Sequence, residues 1–170
     1  MADIHRFTLT YDPQEDRLAF DAEDAAGETT RLWLTQRMCR NLAPHLIRLL
    51  TEQGAARAGG AVAESTVQSW AQVSAMQKLD EAPAVRLKAQ APSGLVNAVH
   101  VTPQQTPGGA RFLIQFDFAG QSRRIDFDEA ALRQTLSLLA RLYRAAGWPG
   151  DLWPDWIADP APEPAVRTVN

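Results

Sequence analysis

Apolar and polar residues alternate along the first part of the chain. In "HRFTLTY" the side chains of Phe7, Leu9 and Tyr11 fall on one side, and polar side chains fall on the other. The same alternation recurs in "RLAFDAED" (17–24) and "TTRLWLT" (29–35). Period-two patterning of this kind predicts half-buried β-strands. The segments between them, "DPQED" and "DAAGE", are rich in turn-forming residues, so we expect a meander of three strands.

An amphipathic helix is predicted directly after this meander. At about 100° per residue, the apolar stripe of residues 36–53 consists of Met38, Cys39, Leu42, Leu46, Leu49 and Leu50. Thr35 is a good N-cap residue, and Gly54 stands where a C-terminal cap is expected. Pro44 interrupts the helix on its arginine-bearing side, which predicts a kink there.

The same order of elements appears twice in the chain. Residues 26–54 align with residues 119–147 without a gap. The alignment matches a turn, an alternating strand, the cap residues Thr35 and Asp128, and a glycine after each helix. We interpret this as an internal duplication of a β-β-β-α unit. The alternative is a chance similarity between two stretches of meander and helix, because identical residues are few.

The two units are predicted to form one domain, residues 1–147, with units at 1–54 and 95–147 and a connector at 55–94. The connector contains "VAESTVQSWAQVSAMQKLDEA", a predicted helix with good helix formers and no proline or glycine. Its apolar face is thin and consists of Val67, Trp70, Ala71 and Ser74. We therefore expect this helix at the surface or covered by a partner. "VRLKAQ" (85–90) is a candidate additional strand.

These elements together predict an α+β fold. Two tandem β-β-β-α units would form an antiparallel sandwich or a barrel-like sheet, with a helical connector between them. At 170 residues, a chain can bury a substantial core without disulfides or metal.

Composition and charge narrow the function classes without naming one. The net charge is −3, and 22% of residues are charged. The overall charge therefore does not require a nucleic-acid or membrane partner. A single cysteine excludes an intrachain disulfide and a cysteine-based zinc site. We find no signal peptide and no stretch of about 20 apolar residues. The expectation is a soluble, cytoplasmic protein without a membrane partner.

The spacing of the chemically reactive residues along the sequence does not bring them together into a site. Cys39 and His45 are six positions apart on the predicted helix, a rise of about 9 Å, which is too far for a nucleophile and its base. Cys39 is expected in the core, as free cysteines usually are. His5 and His100 lie in strands at loosely equivalent positions, but no acidic residue accompanies them at metal-ligand spacing. We predict no catalytic, cofactor-binding or metal-binding residue.

Arginine and tryptophan are the better candidates for an interaction site. The candidate residues of the first unit are Arg31, Trp33, Arg37, Arg40 and Arg48. Further arginines populate the second unit at Arg123, Arg124, Arg133, Arg141 and Arg144. If the units pack about a pseudo-twofold axis, their two helices could present one basic surface. The alternative is that these arginines are ordinary exposed helix residues.

The last part of the chain, 148–170, is a proline-rich acidic tail in which Trp148, Trp153 and Trp156 alternate with aspartates. Its prolines forbid a long helix. Tryptophan and arginine are preferred anchors of interfaces, so our hypothesis is that the tail docks on an arginine-bearing helix, in cis or in trans. The alternative is that Trp148 and Trp153 cover the core of the second unit.

The chain resembles known proteins in two respects. "EDRLAFDA…RLWLTQRM" resembles the N-terminal signature "DRL…RLWLTRR" of small uncharacterised proteobacterial proteins, within the first fifty residues. This resemblance carries over no activity and no site residue. The order meander, helical insert, meander, helix is similar in topology to the head domains of eukaryotic end-joining scaffolds and centriolar cartwheel proteins. That second resemblance implies a dimerising interaction module, although this chain has no long C-terminal coiled coil.

The favoured function is therefore non-catalytic. We expect a protein-interaction or assembly module, an adaptor or scaffold that works through a protein partner or as a homodimer. The alternative is a nucleic-acid-binding accessory protein that uses its arginine-bearing helices, and strong weakening of binding by salt would favour it.

Overall fold

A computed structural model of the protein describes residues 2–58, 61–77 and 83–158. The strands are β1 (Ala2–Asp12), β2 (Arg17–Asp24), β3 (Thr29–Thr35), β4 (Ser93–Thr106), β5 (Gly109–Phe118) and β6 (Gln121–Asp128). The helices are α1 (Gln36–Ala58), α2 (Ala61–Gln77), α3 (Glu129–Ala145) and the short α4 (Asp155–Ala158). The predicted end of the connector helix (78–82) and the last part of the tail (159–170) lie outside the described residues.

The six strands close into one barrel in sequence order. Each unit contributes an antiparallel meander. The meanders meet at two parallel seams, where residues 31–33 pair with 93–95 and residues 2–3 pair with 123–124. A twofold rotation that superimposes each unit on the other also interchanges the two seams. The α+β class and the tandem β-β-β-α units are thus confirmed, and of the two predicted sheet arrangements the barrel is the one formed.

The barrel interior is aromatic. Alternate residues of β5 are buried, among them Phe112, Phe116 and Phe118. The rings of Phe7 and Phe20 stack at 4.8 Å across neighbouring strands. The apolar stripes of α1 and α3 belong to the same hydrophobic core. This continuity joins the two units into one buried volume.

Several local features recur in both units. A β-bulge lies near the start of β1, between Ile4 and Arg6, and another lies near the start of β4, between Val96 and Ala98. The Ala131 amide donates to the Asp128 carboxylate at 2.7 Å, and the Met38 amide donates to the Thr35 hydroxyl at 3.1 Å. The predicted N-caps Thr35 and Asp128 are therefore formed in both units.

Two expectations about single elements were wrong, the cap at Gly54 and the strand at 85–90. Helix α1 continues past Gly54 to Ala58, so Gly54 is not its terminal cap, whereas Gly147 does take a left-handed conformation (φ +67) after α3. Helix α1 also runs without a break through Pro44, which is exposed; the kink stays a prediction. Residues 85–90 form no strand.

Residues 83–92 instead run across the outer face of the first meander. The Val85 amide donates to the Thr8 hydroxyl at 2.8 Å, and the Lys88 amide donates to the Thr29 hydroxyl at 2.9 Å. Side-chain hydroxyls on a sheet face do not form a ladder with backbone partners, so no strand results. Asp21 and Ala19, two outward-facing residues of β2, are buried on this face of the meander.

Candidate functional site

Arg31 and Trp33 lie together on the outside of the barrel, at the seam between β3 and β4. The Arg31 guanidinium donates to both carboxylate oxygens of Asp21, at 2.6 and 2.7 Å, and lies 5.1 Å from the centre of the Trp33 ring. The Trp33 indole donates to the Ser93 hydroxyl at 3.1 Å. The pKa of Arg31 is raised by the hydrogen bonds to Asp21. These contacts fix both predicted residues in the fold.

Leu95 adds an apolar residue to the same surface. It stands opposite Trp33 in the seam register, and 45% of its surface is exposed. No local pattern in the sequence singles it out, because only the parallel pairing of β3 and β4 brings it beside Trp33.

The arginines of α1 have different surroundings. Arg40 forms two hydrogen bonds to Asp151 of the tail, at 3.0 and 2.8 Å. Arg48 contacts the Nδ1 of His45 at 2.9 Å and the carboxylate of Glu52 at 3.8 Å. Arg37 is exposed and forms no ion pair within the described part of the chain.

A shallow groove of about 520 Å³ opens between the start of α1 and the tail. We call it the tail groove, and it is lined by Gln36, Arg37, Arg40, Pro149 and Asp151. The hydrogen bonds from Arg40 hold the pKa of Asp151 below its ordinary value. The groove therefore combines two guanidinium groups with one ionised carboxylate.

The tail docks in cis over the described residues. The Trp148 ring is buried against Tyr143 and Tyr11, and its indole donates to Asp16 at 2.9 Å. The Trp153 ring packs edge-on against Tyr143, at 5.3 Å. Trp153 thus covers the core of the second unit, and Trp148 contacts both units, through Tyr143 and Tyr11.

Trp156 makes the other predicted contact of the tail, that with an arginine-bearing helix. Its ring lies under the guanidinium of Arg133 on α3, with 5.2 Å between the guanidinium carbon and the ring centre. Together with the ion pair between Arg40 and Asp151, this places the tail on arginines of both α1 and α3. The two interpretations of the tail therefore occur side by side.

The two arginine-bearing helices do not form one basic surface. Helix α2 packs against both α1 and α3, and Arg133 is only 1% exposed. The Arg133 side chain donates to the Glu129 carboxylate at 3.0 Å and to the side-chain Oε1 of Gln68 at 2.6 Å. An arginine that the sequence places among the candidate surface residues is therefore a buried link between α2, α3 and α4.

Helix α2 turns a polar face inward. Gln68 donates to the carbonyl of Leu50 at 3.2 Å, and Gln72 donates to the Ser137 hydroxyl at 2.6 Å. Both glutamines are almost fully buried. The predicted inner face was wrong, because backbone and hydroxyl acceptors on α1 and α3 accept from the side-chain N–H groups of both glutamines and offset part of the cost of burying them, while the Oε1 of Gln72 has no partner among the described residues.

Trp70 lies on the opposite side of α2 and is 77% exposed. At about 100° per residue, its helix face also carries Thr66, Val67, Val73, Ser74 and Gln77. We call these six residues the α2 outer face. No charged residue occurs between positions 65 and 77. This face is therefore an uncharged surface with a tryptophan at its centre.

Ser122, Asp117 and His100 lie close together on the outer face of the second meander. They are the same three residue types that form a catalytic triad. The Asp117 carboxylate contacts the Nε2 of His100 at 3.0 Å and accepts from the Ser122 hydroxyl at 2.6 Å. These hydrogen bonds, chiefly that of Ser122, lower the pKa of Asp117. The serine is thus bonded to the carboxylate rather than to the imidazole, so it lacks the base that activates a nucleophile.

The remaining reactive residues lie apart. His5 is on β1 and His100 is on β4, which occupy opposite sides of the barrel, so the two histidines do not meet. Cys39 is in the core, as predicted, and burial raises the pKa of its thiol to about 12. His45 contacts Arg48 rather than Cys39.

No helix among the described residues is long and apolar enough to cross a membrane. Comparisons of the chain with protein-family models, with curated proteins and with solved structures returned no match.

Proposed function

We propose that this protein is a non-catalytic assembly module that forms a homodimer through the α2 outer face. The observation that carries the proposal is the 77% exposure of Trp70 at the centre of that face. Tryptophan is the residue type most enriched at interface hot spots, and charged residues are depleted at interface centres. The α2 outer face has both properties.

A second copy of the chain is the partner that this face fits best. Because no charge occurs between positions 65 and 77, the face meets itself about a twofold axis without repulsion between like charges. In such an isologous contact each Trp70 packs on the small and branched side chains of the other helix. The buried polar contacts of Gln68 and Gln72 hold α2 in place from the other side.

The size of the face sets the expected affinity. A helix of 17 residues is about 25 Å long and about 10 Å wide, so one of its faces covers about 250 Å². This area is smaller than the roughly 800 Å² that each partner buries in a stable interface. We therefore expect a weak dimer that forms at protein concentrations of about 10 to 100 µM.

The test is a Trp70→Ser variant examined by analytical ultracentrifugation over this concentration range. Wild type is expected to shift from monomer to dimer, and the variant is expected to stay monomeric, with a dissociation constant raised by about tenfold or more. Leu95→Ser is the matched control, because among the described residues it removes the other exposed large apolar side chain. A wild-type monomer at all concentrations, or an equal effect of both variants, would contradict the proposal.

The pairing of the arginines is the reason for preferring protein contacts to nucleic acid. Arg31, Arg40 and Arg48 each face a carboxylate, which reduces the positive potential available to phosphates. Binding of a duplex oligonucleotide that weakens steeply with salt would favour the nucleic-acid alternative instead.

A further inference from the structure

The tail groove contains one carboxylate and two guanidinium groups. Arg40 donates a hydrogen bond to each carboxylate oxygen of Asp151, yet the side chains of Arg40 and Asp151 are about half exposed, at 46% and 63%. Exposed ion pairs are weak, so another carboxylate can replace Asp151 on Arg40 without disturbing the core. The bidentate geometry itself shows that Arg40 is oriented for carboxylate recognition.

Arg37 lies one helical turn before Arg40 and lines the same groove. Residues three positions apart on a helix are neighbours on its surface. Arg37 is exposed, and no carboxylate in the described portion of the chain pairs with it. The groove can therefore accept at least one more acidic group than the described part of the tail, 148–158, supplies.

The tail is anchored on either side of Asp151 by Trp148 and Trp153. The Nε1 of Trp153 is shielded from solvent and finds no hydrogen-bond partner among the described residues. A buried donor without a partner weakens the packing around it. The part of the tail beside the groove is thus held less firmly than the part at Trp148, whose indole donates to Asp16.

We propose that the tail groove binds an acidic peptide segment of a partner protein through Arg37 and Arg40, and that Asp151 is an internal competitor for this site. A carboxylate ligand is favoured over phosphate because the occupant that Arg40 holds in this molecule is a carboxylate. The proposal uses a different surface from the α2 outer face and does not depend on dimerisation.

The experiment measures the fluorescence anisotropy of a labelled tetrapeptide of alternating glutamate and aspartate with the full chain. Asp151→Asn is expected to bind this peptide about fivefold more tightly than wild type, because it removes the competing carboxylate. Adding Arg37→Gln or Arg40→Gln to Asp151→Asn is expected to cancel the gain. Asp155→Asn and Arg141→Gln are matched controls with the same charge changes outside the groove, and they should leave the affinity within about twofold of wild type.

Two results would overturn the proposal. One is equal peptide affinity of wild type and Asp151→Asn, with both proteins folded by circular dichroism. The other is an Asp151→Asn protein that binds inorganic phosphate or a duplex oligonucleotide more tightly than the acidic peptide, since this would assign the groove to phosphate ligands. Either result would leave the dimerisation of wild type and its loss in Trp70→Ser unaffected.

Discussion

At the scale of single residues, burial decides which side chains can react. Cys39 is 2% exposed in the core, and the loss of hydration raises its thiol pKa to about 12. Desolvation likewise raises the pKa of Tyr143, whose hydroxyl donates to the carbonyl of Gln36 at 3.2 Å. Neither group is ionised near neutral pH, so both act in the structure as packing residues.

This burial predicts that Cys39 is inert in the folded protein. At pH 8 a thiol with a pKa near 12 has a negligible thiolate fraction, so Ellman's reagent should not modify the native protein within an hour. The same sample in guanidinium chloride should release one equivalent of chromophore at once. Rapid stoichiometric reaction of the native protein would show that the thiol is accessible.

The sequence was sufficient to place Cys39 but not Arg133. Cys39 falls inside an apolar stripe of period 3.6, and such a stripe packs inward whatever covers it. Arg133 aligns with Arg40 of the first unit, and nothing in the local pattern separates the two. Only the packing of α2 and α4 over α3 buries one and leaves the other exposed.

At the scale of elements, α2 shows that hydrogen bonding of polar side chains can decide which face of a helix is buried, even against the apolar pattern of its sequence. The sequence predicted a helix here, and a helix is present. Its buried face could not be predicted, because Gln68 and Gln72 are stable inside only where α1 and α3 supply acceptors. Ala75 is the apolar residue of α2 that is buried most deeply among those described. Hydrogen bonds from Gln68 and Gln72 therefore contribute to the attachment of this helix.

Arg133 is expected to be the central residue of this attachment. Arg133→Ala removes the buried donor that contacts both Glu129 and Gln68, which should lower the free energy of unfolding by about 3 kcal/mol. Urea denaturation measures the change. Arg133→Met keeps most of the volume and should cost less.

Arg141→Ala is the matched control on α3, because Arg141 is exposed, and its change should stay within about 0.5 kcal/mol. Equal losses in Arg133→Ala and Arg141→Ala would mean that the buried network does not stabilise the fold.

At the scale of the whole molecule, the two units depend on each other. Each meander alone has two open edges, and the barrel closes only where one unit pairs with the other, at residues 31–33 with 93–95 and at 2–3 with 123–124. The core that fills the barrel also includes side chains from both halves, such as Phe20 and Phe116, whose rings lie 5.3 Å apart.

A fragment of residues 1–58 is therefore expected not to fold alone. It retains the first meander and α1 but loses both seams and the phenylalanines of β5, and a chain of about 60 residues is only marginally stable even with a complete core. Proton NMR of the fragment should show little chemical-shift dispersion, and co-expression of residues 1–82 with 83–170 should restore a soluble complex. A well-dispersed spectrum for 1–58 alone would contradict this interdependence.

The sequence by itself determined the local elements and their duplication, because period-two and period-3.6 patterns, turn residues and caps such as Thr35 and Asp128 act within a few positions of the chain. Tertiary structure alone decided the closure into a barrel, the inward face of α2, the burial of Arg133 and the pairing of Arg40 with Asp151. Each of these features depends on partners that are distant in the chain, such as Ser137 for Gln72 and Asp151 for Arg40. A local sequence pattern cannot predict such partners. The exposed Trp70 belongs to both levels: its residue type was visible in the sequence, and its outward position was decided only by the polar contacts on the far side of its helix.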